Sequence, residues 1–565
     1  ATTMALGAPK AVFKNIGGYP FPIRDSTGVL LMAIAPGGVA YVSCDSISTA
    51  AGSWGITGTG LEPGLITIDN KFSSTYVVNI LTPFVAFDSN ISLHFLAIAS
   101  GFAAVAVNKT TGAVGTPVTV SATASAVPCI AYMITATTAA VFYTGGTSGT
   151  LIGVVITLSG TTTLAIGTPS STLTAAGVAV ENFSAAPKIA QLDTTLYLVS
   201  YATATGAGTT SVAGFQVSSG TTMTLGSAVN VIAADNCINS TLTFALTATT
   251  AAVCYKSGAA APYTNSAVVV SVTNANPPVC TVGTPASITG VTSSAVGATS
   301  WAKLSATKLI IGDDDNASSV ICSVATISAG TTVTAGTIVS VETGLTADRL
   351  SDTANSATRY NPHIAALTSS TAQLNYTDSA CVSRTCVLSE SGGVVTKGTI
   401  LYNSISLTNT SADARLGIMA PQGTTEFIAV RTVGAGTNAT FTLKLVPHKI
   451  SGTTITDGVG SVIKDTGSIS SVLGTISMTR LSSGDYLFAP STDRTALHAV
   501  AIVRSNGDYI NYRGCVQMPY LKPNVFQLNA AVSSNRVVLL GLTASSTIDA
   551  DTTYQIRLLS IEVAA

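Results

Sequence analysis

The 565-residue chain carries charge on only 9% of its residues, with a formal net charge of -1, whereas an ordinary soluble domain carries charge on about a quarter. Such a surface offers no basic stripe for nucleic acid and no acidic field for a basic partner. Nearly half of the residues are hydrophobic, which argues against disorder. No apolar run reaches the about 20 residues of a spanning helix, so membrane insertion is not expected.

In chain order, residues 11–14 read as a strand and 17–22 as a turn. Residues 1–12 lack the basic region and apolar core of a signal peptide. A hairpin corner, DSTG, precedes the extended run VLLMAIAPGG, and two further strands follow before residue 85. A short unit then holds ISLHFLAIA and FAAVAVNKTTGAVGTP.

From residue 121 a pattern recurs. The stretch ITATTAAVFY at 134–143 returns as LTATTAAVCY at 246–255 and LTSSTAQLNY at 367–376. LDTTLYLVSY at 192–201 and LSATKLIIGD at 304–313 fit the same frame, and weaker echoes begin at Gln422, Leu481 and Val532. Each is an apolar residue, a polar corner of Thr, Ser or Ala, then an extended apolar run. A second marker travels with it: an apolar strand, a Ser/Thr/Gly turn, a short Thr-rich strand and Gly-Thr, as in VVITLSGTTTLAIGTP at 154–169. Two markers in a fixed order, spaced by about 57 residues, are the signature of radial or solenoidal stacking of short-stranded units. After residue 341 arginine becomes frequent while the repeat phase continues. The last unit shows three strands and lacks its fourth, Thr-rich one.

The expectation is an all-β fold: a β-propeller-like ring of about 57-residue, roughly four-stranded repeats, with 7–10 blades. The N-terminal strand within residues 11–19 would supply the strand missing from the last unit. The chain divides into first irregular blades or an attachment region at 1–120, regular low-charge repeats at 121–340, and more charged repeats with ring closure at 341–565. β-branched residues dominate throughout and leave almost no helix.

Chemistry is sparse. The four histidines stand singly. Asp313, Asp314 and Asp315 form the densest acidic group, read first as a solvated loop tip and second as a calcium site; no other cofactor is expected. Glu342, Asp348, Arg349, Asp352 and Arg359 form the one acid/arginine cluster. Tyr143, Tyr201, Tyr255 and Tyr376 recur at equivalent positions, as packing residues first and candidate ligand contacts second. The nine cysteines read as buried thiols, with Cys381 and Cys386 a candidate hairpin bridge. No catalytic residue is assigned, since no phosphate loop, nucleophile elbow or spaced carboxylate pair is present.

The SGTTxTxGT corners at 161–169, 221–227, 331–337 and 452–458, with the low charge and the corner before AVxxY, resemble the propeller-like repeat proteins of tailed-bacteriophage particles. The resemblance implies a virion structural protein made in the host bacterial cytoplasm: a tail fibre, tail-tip or surface appendage component. Its partners would be other virion proteins, further copies of itself and a host-surface glycan. Two alternatives stand beside it: a carbohydrate-binding adhesin of a bacterial surface, and a propeller enzyme that degrades polysaccharide.

Overall fold

The computed structural model describes most residues of 87–401 and 447–456 with their side chains, and elsewhere the backbone of the strands named below. Among the described residues every regular element is a β-strand, and no helix is long and apolar enough to cross a membrane. Contacts divide the chain into two compact units. One is Tyr76–Ser406 with Ile450–Ile455; the other is Ala1–Thr75, Leu407–Lys449 and Thr456–Ala565. The expected divisions at 120 and 340 both fall inside the former.

The unit containing Tyr76–Ser406 is a succession of antiparallel sheets, each a meander in chain order. Val127–Thr135, Thr138–Gly145, Thr150–Ser159 and Thr163–Ile166 make one four-stranded sheet. The sheet before it runs from Val85–Ala86 to Val118–Ser121. The three sheets that begin at Lys188–Gln191, Trp301–Ser305 and His363–Ala366 each have five strands, as does the one that begins at Leu242–Ala245. In these the fifth strand pairs with the third, beyond the short fourth.

The recurring polar corner is the turn between the first and second strands. The Thr247 hydroxyl accepts the amide of Thr249 at 3.3 Å, and the Thr368 hydroxyl accepts that of Ser370 at 3.2 Å. Thr135 does the same for Thr137 and Ser305 for Thr307. A hydroxyl closing a turn on the amide two residues on is the reason Ser and Thr are selected there. In the second marker the Ser-Gly turn, Ala-Gly at residue 330, places Gly160, Gly220, Gly330 and Gly452 at positive φ, which glycine adopts without strain.

The apolar run after the corner is buried on both faces. Ala139, Val141 and Tyr143 pack against the preceding sheet, while Ala140 and Phe142 pack against the following one. Ala251, Val253 and Tyr255 repeat the first arrangement, Ala252 and Cys254 the second. Side chains alternate along a strand, so a continuous apolar run is what a strand sandwiched between two sheets needs. Phe142 meets Phe215 edge-on with ring centroids 5.1 Å apart, and Phe102 meets Tyr143 at 5.3 Å.

The Gly-Thr that ends the second marker has its own cause. A Cβ on Gly115 would overlap the Thr162 carbonyl oxygen of the next sheet, and one on Gly167 the Thr221 carbonyl. Gly226 meets the Pro278 carbonyl and Gly398 the Thr453 carbonyl in the same way. Consecutive sheets therefore touch backbone to backbone at this corner.

The few charges also join sheets. Lys308 Nζ lies 2.6 Å from Glu390 Oε2 of the next sheet, and Arg384 pairs with Glu342 of the preceding one. Lys303 donates to the Ala245 carbonyl and Lys397 to the Val341 carbonyl, both of the preceding sheet.

The other unit contains two three-stranded sheets, one of Ala11–Lys14, Val39–Ser46 and Ser53–Gly58, the other of Phe21–Arg24, Leu30–Ile34 and Gly60–Leu61. Three further sheets follow, built around Glu426–Val433, Asp485–Ala489 and Arg536–Ala544. Two expectations are corrected. Ala11–Lys14 pairs with Val39–Ser46, and the C-terminal sheet takes Ile66–Ser74 as its fourth strand instead, along Tyr554–Val563. The expected closed ring is not found either: among the described residues the protein is an all-β fold of separate antiparallel sheets, mostly of four or five strands, and none of these sheets closes into a ring or barrel. The outermost strands of each sheet pair on one side only, which leaves the sheets open.

Candidate functional site

Tyr143, Tyr201, Tyr255 and Tyr376 are buried, and each faces the sheet that precedes its own. The Tyr376 hydroxyl donates to Glu342 Oε2 at 2.7 Å. Burial pushes the Tyr201 phenol up to about 12. None of the four rings is presented to solvent.

Asp313 stands in the recurring frame where the other repeats have this tyrosine, and it too faces the preceding sheet. It is buried, 3.3 Å from Lys256 Nζ, and accepts a hydrogen bond from Asn265 Nδ2 at 2.8 Å. The solvated loop tip expected of it is thereby corrected: the strand Lys308–Asp314 carries it into the sheet stack, paired with a cation. The Asp314 side chain and Asp315 lie outside the described residues, as do Asp348, Arg349, Asp352 and Arg359. Among the described residues no three His, Cys, Asp or Glu side chains gather as a metal site would require. Cys386 is a free buried thiol; Cys381 lies outside the described residues. Burial pushes the Cys129, Cys322 and Cys386 thiols up to about 12, which leaves little reactive thiolate.

Among the described residues lies a shallow, open cleft of about 540 Å³. It is built by the first, edge strands of consecutive sheets: Val127–Thr135, Lys188–Gln191, Leu242–Ala245 and Trp301–Ser305. Those strands precede the polar corner and are less buried than the middle strands, so part of their polar and aromatic groups reach the surface. Tyr132 and Phe244 supply rings; Gln191, Asp193, Thr243 and Lys303 supply polar groups. Tyr132 donates to Gln191 Oε1 at 3.4 Å and leans edge-on against Tyr197 at 6.0 Å. Burial raises the Tyr132 phenol, and it carries the Tyr197 phenol to about 12, with Tyr132 and Asp193 adding to the rise. Thr243 shares a 2.5 Å hydrogen bond with Ser200. Asp193 Oδ1 accepts the Thr194 amide at 2.7 Å, which fixes its carboxylate at the corner.

No protein-family model and no curated protein matches the chain. Among solved structures it is similar to the WD40 domain of SCAP from fission yeast, at 6% identity over 88% of this chain and 98% of that one, with a TM-score of 0.38. It is similar to Sqt1 from Chaetomium thermophilum at 9% identity, over 76% and 94%, with a TM-score of 0.37. The BP39L lectin from Burkholderia pseudomallei gives 13% identity, over 68% and 95%, with a TM-score of 0.36. These are weak, low-identity resemblances to propeller and WD40-like repeat folds, not specifically to phage proteins, and no functional assignment is taken from them.

The cleft itself offers two rings and several donors and acceptors at fixed positions, with one carboxylate in its lining. Aromatic faces can carry the apolar face of a ring-shaped ligand, and amide, carboxylate and hydroxyl groups beside them can exchange hydrogen bonds with its hydroxyls. Sequence reading overlooked Tyr132, Gln191 and Phe244 because they do not recur. The signal available was their position, in a short edge strand just before each corner.

Proposed function

We propose that the protein is a binding scaffold that captures a surface glycan in the cleft lined by Tyr132, Gln191, Asp193, Thr243 and Phe244. The observation that carries this reading is the convergence of two aromatic rings with an amide, a hydroxyl and a carboxylate from consecutive sheet edges. The chemistry is recognition rather than turnover. Glycosidic cleavage uses two carboxyl groups flanking the bond, and Asp193 is the one carboxylate in the lining. An adhesin of a bacterial surface and an attachment component of a phage particle both use such capture. In the second setting, which rests on the resemblance of the low-charge SGTT corners alone, other virion proteins and further copies of the chain would be the neighbours.

The test is a glycan array probed with the full chain, followed by titration of any glycan retained. Tyr132→Ala and Gln191→Ala are expected to weaken binding about tenfold or more, some 1.4 kcal/mol each. Gln191 is exposed, so its variant separates lost recognition from lost stability. Equal binding by wild type and both variants would remove the cleft from consideration. Electron microscopy of particles from the source, labelled with antibody to this chain, distinguishes the virion from the cell surface.

A further inference from the structure

The buried pair of Lys256 and Asp313 has a third member. Lys256 stands directly opposite Asn265 across Thr250–Ser257 and Tyr263–Val272, the two middle strands of their sheet. Opposite residues of an antiparallel pair share a face with adjacent Cβ atoms. Asp313 reaches this pair from the next sheet. Its Oδ2 lies 3.3 Å from Lys256 Nζ and 2.8 Å from Asn265 Nδ2. One carboxylate oxygen therefore touches both an amine nitrogen able to attack a carboxamide and the nitrogen that would leave it. The three residues are 0%, 0% and 2% exposed. Cys254, Ala267 and Ile311, two positions away on the same strand faces, belong to the apolar cluster between the two sheets.

We propose that Lys256, Asn265 and Asp313 form a self-acting cross-linking site that joins Lys256 Nζ to Asn265 Cγ by an amide bond. The nucleophile and carboxamide are held side by side by the register of two strands, so the entropy of bringing them together is already met by folding. The surrounding cluster keeps water from competing for the carbonyl. The steps balance without any outside reagent. The ammonium passes a proton to Asp313, and the resulting amine attacks Cγ of Asn265. Asp313 returns the proton to Nδ2 of the tetrahedral intermediate, and the Cγ–Nδ2 bond breaks. The departing ammonia takes up the second Nζ proton and leaves as ammonium, and the neutral Cγ–Nζ amide remains, with Asp313 regenerated as the carboxylate. The product ties together the central strands of one sheet, within a stack already held by few charges.

Mass spectrometry of the purified full chain decides the matter. The expected intact mass is below that of the sequence by one ammonia. Trypsin, which needs a free Lys side chain, then fails to cut after Lys256, so residues 189–303 emerge as one looped peptide whose fragments place the link at Lys256 and Asn265. Asp313→Asn removes the proton carrier and Lys256→Arg removes the nucleophile while keeping the cation; both are expected to restore the full mass and, in the first, cutting after Lys256. The wild-type measurement needs no variant to fold. A wild-type mass equal to that of the sequence, separate recovery of 189–256 and 257–303, or an ammonia loss mapped to another residue each overturns the proposal.

Discussion

At Gly167 and its counterparts the side chain is a single hydrogen because a carbonyl of the neighbouring sheet occupies the space a Cβ would need. Gly167→Ala is expected to destabilise the protein by about 1–3 kcal/mol, the usual cost of overpacking, measured as a shift of the denaturant midpoint. An unchanged midpoint would show that the sheets can separate there at little cost. Glu390 gives a second residue-scale prediction. Burial pushes its carboxyl up, but the hydrogen bonds from Lys308 and the Gly393 amide, with the Lys308 charge, outweigh this and hold it below its ordinary value of 4.5. The sign follows: the pair's contribution is full above that ordinary value and is lost as pH falls through the lower folded one. Unfolding measured across that acid range should show less pH dependence in Glu390→Gln than in wild type. Lys308→Ala, which strands a buried carboxylate, is expected to cost about 1–3 kcal/mol near neutral pH. Such positions were partly readable. The Gly-Thr marker announced that something repeats, and the place of Asp313 in the tyrosine frame, passed over in favour of a solvated loop tip, was the available sign that it points inward. Neither told which backbone or which cation waits on the other side, because those partners belong to other sheets.

Among the described side chains, the strand after the corner is an element with no solvent face, and substitutions should report this. Phe142→Ala is expected to cost about 3–5 kcal/mol, since Phe142 is fully buried between sheets against Phe215. Met133, 42% exposed on an edge strand, should change stability by less than about 0.5 kcal/mol on replacement by Ala. Comparable losses at the two sites would mean that the edge strand is as enclosed as the middle one. Strand type, order and turn chemistry were legible, because β-branched residues, Ser/Thr corners and Ser-Gly turns act locally. The cleft was not, because Tyr132, Gln191 and Phe244 meet only through the stacking of edges from sheets more than fifty residues apart in sequence.

Across the molecule, energy should pass between neighbours only. Each cluster of the unit containing Tyr76–Ser406 joins one sheet to the next, the arrangement that gives repeat proteins their nearest-neighbour energetics. Phe142→Ala combined with Phe215→Ala should therefore depart from additivity by about 0.5–1.5 kcal/mol. Phe142→Ala combined with Tyr376→Phe, several sheets away, should add within about 0.5 kcal/mol. Coupling as strong for the distant pair as for the near one would contradict a chain of pairwise joints. Sequence predicted the period and strand content of this arrangement but placed the closing strand wrongly, since many short runs are equally able to pair with the last sheet and only the tertiary fold chooses Ile66–Ser74. The glycine-to-carbonyl joint has a last consequence. Its two halves are main chain on both sides, so it is blind to the identity of the module that follows. A gene that gained or lost one such module would keep the same mating surface at the new boundary, and the length of the array is thereby free to change without a fresh solution to how its members fit.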